Sequence, residues 1–310
     1  MTSSALRPLS LGELLDRTFA LYRAHFLVFV GIVALPNLLT LAIQTAMLPM
    51  MIGNPQDPAV AFERLGEIMA VGLAAVVVAA IAQAATVVAV SRVHLEQPIS
   101  IASAFRSLRG VAFKAVLVTL TIFFIIVLVA GVVVFGASIA AAIGLAASGG
   151  AGARSSALVM MAAVFVIAGL IGGIPTIYLA LRWALSVPAA VIERADLGPA
   201  LRRSSELTAG QRGRIFMIYA LYFVLTIVLG GGFQALALVV SGLHSPTAVS
   251  QNLTAQLIVY VGNFLTQCLI GPLGTIALAL SYYDARVRKE AFDIEYMMGE
   301  IDRAPSPTAS

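Results

Sequence analysis

The chain has 310 residues, of which 60% are hydrophobic and only 11% are charged, and its mean hydropathy is +0.98. This composition excludes an ordinary soluble globular protein, in which about a quarter of the residues are charged. The net charge of +4 does not imply a nucleic-acid partner, because the basic residues flank apolar runs, where a membrane presents anionic lipid. We therefore expect a membrane protein that binds no nucleic acid.

Long apolar runs recur along the chain, and a run of about 20 such residues is long enough to cross a bilayer as a helix. The run "VLVTLTIFFIIVLVAGVVVFG" (116–136) lacks the alternation of apolar and polar residues that is typical of barrel strands. We place six transmembrane helices at residues 26–50, 68–90, 115–140, 157–181, 215–240 and 256–281. The expected fold is all-α and polytopic, with residues 1–303 as a single membrane domain and residues 304–310 as a disordered tail.

The basic residues are distributed asymmetrically between the two ends of these spans. Of the 19 lysines and arginines, 17 lie before the first span, in the second and fourth loops, or after the last span. Only Arg64 and Arg154 fall on the other side. Cytoplasmic loops carry the excess of basic residues, so we expect a multi-pass protein of the cytoplasmic (inner) membrane with both termini in the cytoplasm.

Three of the basic segments predict short amphipathic helices on the cytoplasmic side, within residues 8–26, 98–114 and 195–216. In each, apolar residues recur at helical spacing, and Ser10 and Glu13 form the capping-box pattern of a helix start. Each segment precedes a pair of spans, which indicates three units of one amphipathic helix and two spans. Independent convergence of three basic loops is the alternative explanation.

These cytoplasmic segments are the first candidate site. An interfacial helix rests its apolar face at the headgroup boundary while its basic side chains meet anionic lipid. A docking surface for a cytoplasmic protein is the alternative. The candidate lipid or partner contacts are Arg17, Arg106, Arg109, Arg202, Arg203, Arg212, Arg214, Arg286, Arg288 and Lys289.

Uncharged polar residues inside the spans are the second candidate site. No charged residue lies at the centre of a predicted span, which disfavours transport coupled to ions or protons. Polar residues nevertheless follow helical spacing in the first and sixth spans. They either hydrogen-bond between helices or line a polar cavity. The candidate interior residues are Asn37, Gln44, Gln83, Asn263 and Gln267.

The residues that usually carry catalysis or bind metals are scarce. The three histidines are far apart in sequence, Cys268 is the only cysteine, and the mixed charges of residues 282–302 are typical of an exposed helix. No zinc-protease, phosphate-loop, dinucleotide or nucleophile-elbow motif occurs. We therefore expect no enzyme activity, no metal and no cofactor. A membrane-embedded lipid enzyme, the remaining catalytic possibility, would need carboxylates or histidines that converge in the fold.

Three segments resemble a known family. The segments "LRPLSLGELLDRTFALYRAHF" (6–26), "PAAVIERADLGPALRRSSELTAG" (188–210) and "YYDARVRKEAFDIEYM" (282–297) resemble bacterial membrane proteins of the glycerophosphoryl diester phosphodiesterase membrane-domain type. In some members this membrane part is fused to a hydrolase that resembles a TIM barrel with a metal site of histidines and carboxylates. The sequence has only three histidines and no long hydrophilic segment to supply such a domain. We therefore expect a stand-alone membrane protein, and the resemblance implies neither phosphodiesterase activity nor any functional residue.

Two functions remain open at this stage. The first expectation is a non-enzymatic membrane protein that organises lipid or partner proteins through its cytoplasmic amphipathic helices. The alternative is a transporter or channel for a small molecule or lipid, with an uncharged polar path.

Overall fold

A computed structural model describes residues 9–51, 58–147, 154–242 and 252–303. Within these ranges all regular structure is helical. In chain order the helices are α1 (Leu11–Ala24), α2 (Phe26–Met51), α3 (Pro58–His94), α4 (Ile101–Ser107), α5 (Ala112–Ala147), α6 (Arg154–Arg182), α7 (Ser186–Ile192), α8 (Leu197–Thr208), α9 (Arg212–Val240) and α10 (Leu253–Arg303).

Six stretches of the described helices are long and apolar enough to cross a membrane, which confirms the prediction of an all-α, multi-pass membrane protein. They are Phe26–Leu48, Phe62–His94, Ala112–Ala141, Ala162–Ile192, Arg212–Val240 and Leu253–Glu290. Two helices run well past the predicted span ends: α3 begins at Pro58, where an outer loop was expected, and α10 continues to Arg303. The predicted tail, residues 304–310, lies outside the described ranges.

The helix order follows the predicted units. A short helix precedes each pair of long helices: α1 before α2 and α3, α4 before α5 and α6, and α8 before α9 and α10. The two long helices of each pair pack against each other. That the three units are repeats of one ancestral sequence stays a prediction.

Two of the spanning helices are interior to the bundle. In the most apolar stretch of α3, 50% of the residues are buried, and in that of α10, 44%. In the third, fourth and fifth spans, only 6% of the residues in the corresponding stretch are buried. Side chains such as Phe135, Ile174 and Val228 are instead exposed, by 69%, 67% and 70% respectively. An exposed apolar surface of this extent marks the face that lipid covers.

The main core lies at one end of the bundle, around the seven-residue helix α7. Residues Ser186 to Val191 are all buried, and α7 packs against α3, α5, α8 and α10. We call this region, formed by α1, α4, α7, α8 and residues 276–290 of α10, the packed end. The sequence analysis placed no helix at α7, because seven residues are too few to show a helical period.

Candidate functional site

A cavity of about 490 Å³ lies among α2, α3, α9 and α10. The structure places all five predicted interior residues in its lining. Asn37 and Gln44 come from α2, Gln83 from α3, and Asn263 and Gln267 from α10. Helical spacing puts the pair in α2 on one face and the pair in α10 on another. The helices pack so that these polar faces line the same cavity.

The cavity lies at mid-depth in the spanning helices. Asn263 follows the first residue of α10, Leu253, by ten positions, or about 15 Å of helix. Asp284, at the packed end, lies about 31 Å further along the same helix. The lining amides of α10 therefore lie well inside this spanning helix, and within a bilayer a polar side chain faces protein or water rather than lipid.

Most of the lining amides make no hydrogen bond. Asn37 Nδ2 donates to the carbonyl oxygen of Val33 in its own helix, at 2.8 Å. Among the described residues, the side chains of Gln44, Gln83 and Asn263 have no hydrogen-bond partner. These three side chains therefore border an open space. Gln267 of α10, in contrast, is hydrogen-bonded to Tyr222 of α9.

The aromatic part of the lining was not predicted from the sequence. Tyr219 and Tyr222 of α9 line the cavity. Their spacing of three residues within an apolar span was the available signal. None of the described lining residues is charged. Amides and phenols donate and accept hydrogen bonds without charge, so the cavity suits an uncharged polar ligand.

Two glycines of α10 shape the wall of the cavity. A Cβ atom at Gly274 would lie 2.9 Å from the ring of Tyr222, so only glycine lets α9 approach α10 this closely. A Cβ atom at Gly271 would lie 3.7 Å from Gln267 Oε1 and from a methyl group of Val33, which is ordinary contact. The wall therefore has no room for a Cβ atom at Gly274 but has room for one at Gly271.

A second cluster, at the packed end, is built on a buried carboxylate. The side chain of Asp284 is only 2% exposed, which corrects the expectation that the mixed charges of this segment lie on an exposed helix. Its Oδ2 atom accepts hydrogen bonds from Arg214 Nη1 and Arg288 Nε, both at 2.8 Å, and its Oδ1 atom accepts one from the Leu9 N–H at 2.7 Å. The Leu9 carbonyl in turn accepts from both arginines. Asp284 therefore joins the N-terminal segment to α9 and α10.

A neighbouring network joins α7, α8 and α10 through Arg203. Its Nε atom donates to Glu193 Oε1 at 3.0 Å, and its Nη2 atom pairs with Glu290. Glu290 also accepts from Arg286 at 3.0 Å, and the Tyr282 hydroxyl donates to Glu193. Burial lowers the pKa of Arg203, but the hydrogen bonds to the two glutamates outweigh burial and raise its pKa above the ordinary value. This guanidinium is fully charged and internally paired.

These networks pair part of the predicted lipid and partner site with other residues of the chain. The guanidinium groups of Arg203, Arg214, Arg286 and Arg288 bind carboxylates of the chain itself. Lys289 donates to the carbonyl oxygen of Glu206. These five side chains are therefore engaged in holding the packed end together.

The other five candidates are placed differently. Arg202 is exposed and pairs with Glu206 at 3.7 Å, and Arg212 stacks over the ring of Tyr178. The remaining three are exposed and have no hydrogen-bond or ion-pair partner within the described part of the chain: Arg17, Arg106 and Arg109.

The predicted apolar faces of the short helices turn partly into the protein. Leu14 of α1, Ala104 of α4 and Ala200 of α8 are each at most 1% exposed. Phe19, on the predicted face of α1, is 44% exposed. The buried residues of these faces pack against the bundle. Only the residues at the edges of the faces, such as Phe19, are exposed.

No group of three or more histidine, cysteine, aspartate or glutamate side chains is placed to hold a metal ion in the ranges that the structure describes. The chemistry on offer in the cavity is therefore hydrogen bonding and apolar contact. At the packed end it is ion pairing.

Comparison with known proteins relates part of the chain to a family. No curated protein and no solved structure matches the chain. Residues 156–293, somewhat less than half of the chain, match a family described as the membrane domain of glycerophosphoryl diester phosphodiesterase. The matched region begins in α6 and ends in α10. Of the three segments that carry the resemblance, it contains residues 188–210 in full and residues 282–293 of the last one. Over residues 156–293 the chain is therefore similar to this membrane domain, which confirms the suspected resemblance for that region.

Proposed function

We propose that this membrane protein carries an uncharged polar molecule through the cavity among α2, α3, α9 and α10, without catalysing a reaction. One observation supports the proposal above all others: side chains from four helices surround about 490 Å³ at mid-depth with uncharged hydrogen-bonding groups. Ligand cavities in proteins are typically about 300–1,000 Å³, largely apolar, with a few polar groups that orient the ligand. In this proposal Asn263, Gln267 and Gln83 hydrogen-bond the passing molecule.

The absence of charge from the described lining argues for an uncharged cargo. A charged molecule at this depth would lose its hydration without gaining an ion pair, which costs several kcal/mol. An uncharged polar molecule needs only hydrogen bonds that replace those it made with water. The side-chain amides of Gln44 and Asn263 can supply them, because they have no hydrogen-bond partner within the described structure.

Water access to the cavity is the first test. A single cysteine is introduced by Asn263→Cys in a Cys268→Ala background, because Cys268 is the only native cysteine. In proteoliposomes a hydrophilic maleimide should label this cysteine. It should not label the control Val228→Cys, whose site lies on the exposed apolar face of α9. Absence of labelling at residue 263 would contradict a hydrated path.

Solute entry is the second test. Stopped-flow swelling of proteoliposomes compares glycerol, urea and glucose with the charged solute choline. We expect at least one uncharged solute to enter faster than into protein-free liposomes, and choline to enter no faster. Gly271→Leu, which fills the cavity, should abolish the increase. Gly131→Leu makes the same change where a Cβ atom would meet nothing within 4 Å, and it should leave entry unchanged. If no uncharged solute enters faster, the transport proposal is wrong.

A second candidate function has an observation of its own. Arg17, Arg106 and Arg109 are exposed at one end of the spans and have no partner in the described residues. They support a role in organising anionic lipid or a protein partner through α1 and α4, on the cytoplasmic side of the inner membrane with both termini inside. A photo-crosslinking residue at Arg106 should then give one discrete product in cells, and the same residue at Arg64 should not. Labelling of an Arg106→Cys variant from outside the cell would contradict the orientation.

A further inference from the structure

We infer that Arg182 and Arg212 form a binding site for the phosphate group of an anionic membrane lipid. Both lie in the region between the end of α6 and the start of α9, apart from the cavity, so this inference does not depend on the proposed transport. The Nε atoms of both arginines are buried and donate to no acceptor among the described residues. Neither arginine has an ion pair there.

Contacts through Tyr178 and Thr208 bring the two arginines to the same region of the surface. The guanidinium carbon of Arg212 lies 4.7 Å from the centre of the Tyr178 ring. Tyr178 precedes Arg182 by one helical turn of α6, so the two side chains lie on the same face of that helix. Thr208, four residues before Arg212, donates its hydroxyl to the carbonyl oxygen of Arg182 at 3.2 Å.

The electrostatics of this pair differ from those of the other arginines at the packed end. Arg203 and Arg214 each bind a carboxylate of the chain. Arg182 and Arg212 have none within the described residues, so two positive charges lie in one region uncompensated, and two buried donors lack acceptors. A buried donor without an acceptor is unfavourable, because it has lost its hydrogen bond to water. A phosphate group supplies both the negative charge and the acceptor oxygens, and its geometry matches the planar donors of guanidinium.

The surroundings favour a lipid over free phosphate. Ile174 and Ile177, on α6 just before Tyr178, are 67% and 50% exposed. An acyl chain lying along this apolar surface would place its phosphate beside the arginines. Tyr178 itself is 44% exposed, and a tyrosine at headgroup level is typical of the boundary between the apolar and polar parts of a bilayer.

The only tryptophan of the chain, Trp183, directly follows Arg182 and gives a native reporter. The purified full-length protein in a zwitterionic detergent is titrated with brominated phosphatidylglycerol or brominated phosphatidylcholine, and Trp183 fluorescence is recorded. Phosphatidylglycerol should quench at lower concentration and should raise the thermal unfolding temperature. Arg182→Gln and Arg212→Gln should each weaken its binding about tenfold, or about 1.4 kcal/mol, because each change removes one charge-assisted hydrogen bond. Arg202→Gln, an exposed arginine of the same charge, should not.

Three further measurements test the assignment of this site to an anionic lipid. Inorganic phosphate that raises the unfolding temperature as much as phosphatidylglycerol would overturn the assignment to a lipid. Without anionic lipid, Arg182→Gln and Arg212→Gln should keep the wild-type unfolding temperature, because neither guanidinium has an ion pair to lose. A large fall there would instead assign the arginines to the fold and overturn the site. Equal binding of the two lipids by fluorescence and by thermal unfolding would also overturn it.

Discussion

The two halves of α10 differ in how they pack, although they belong to one continuous helix. At the packed end, Ile276, Ala279 and Tyr282 have no exposed surface. The Tyr282 hydroxyl also donates to Glu193, which is ion-paired with Arg203. In the other half, which begins at Leu253, Asn263 and Gln267 are exposed along the cavity. A well-packed region stabilises a fold, whereas a void forfeits the contacts its lining would otherwise make. We therefore expect the packed end to contribute more to stability than the half of α10 that lines the cavity.

The strongest test of this contrast removes the buried charge at the packed end. Asp284→Asn keeps the size of the side chain but leaves Arg214 and Arg288 without a counter-charge. We expect a loss of about 3–5 kcal/mol in the free energy of unfolding, the usual result of breaking a buried ion pair. Thermal or denaturant unfolding in detergent measures it. The matched change Asp196→Asn, at a carboxylate whose side chain is 77% exposed beside Lys114, should cost less than about 1 kcal/mol. Equal losses would show that the packed end is not the more stable region.

A change of side-chain volume gives the next largest effect. Ala189→Leu in α7 adds three carbons at a position with no exposed surface, and overpacking of this kind costs about 1–3 kcal/mol. Ala79→Leu makes the same change in the cavity lining, where space is available, and should leave stability nearly unchanged. Unfolding temperatures of the two variants test this contrast. The predicted contrast is wrong if Ala79→Leu lowers the unfolding temperature as much as Ala189→Leu does.

The smallest expected effect compares the two glycines of the cavity wall. Gly274→Ala forces the Tyr222 ring to move and should lower stability by about 1 kcal/mol. At Gly271 the added methyl group fits without a clash. Gly271→Ala should therefore raise stability by about 0.5–1 kcal/mol, because alanine stabilises a helix more than glycine does. Opposite shifts of the unfolding temperature are the expected outcome, and shifts of the same sign would contradict the difference in local packing.

The amino-acid sequence predicts local features of this protein better than the contacts between them. The six spans follow from the length of the apolar runs, and helical spacing places Asn263 and Gln267 on one face of α10. Nothing in one sequence tells which faces of different helices meet, so the joining of that face with Gln83 and Tyr222 around one cavity required the structure. The same limit applies to Arg214, whose charge suggested lipid, because its pairing with Asp284 links residues that are 70 positions apart.

The hydrogen bond between Leu9 and Asp284 also has a consequence for biosynthesis, since it spans 275 positions of the chain. A polypeptide enters the membrane from its N-terminus, so Leu9 and Arg214 are made before the carboxylate that holds them together. The bundle therefore closes only after its last helix has been inserted. A prematurely ended chain leaves its amino-terminal segment and a guanidinium unpaired, which distinguishes an incomplete product from a finished one.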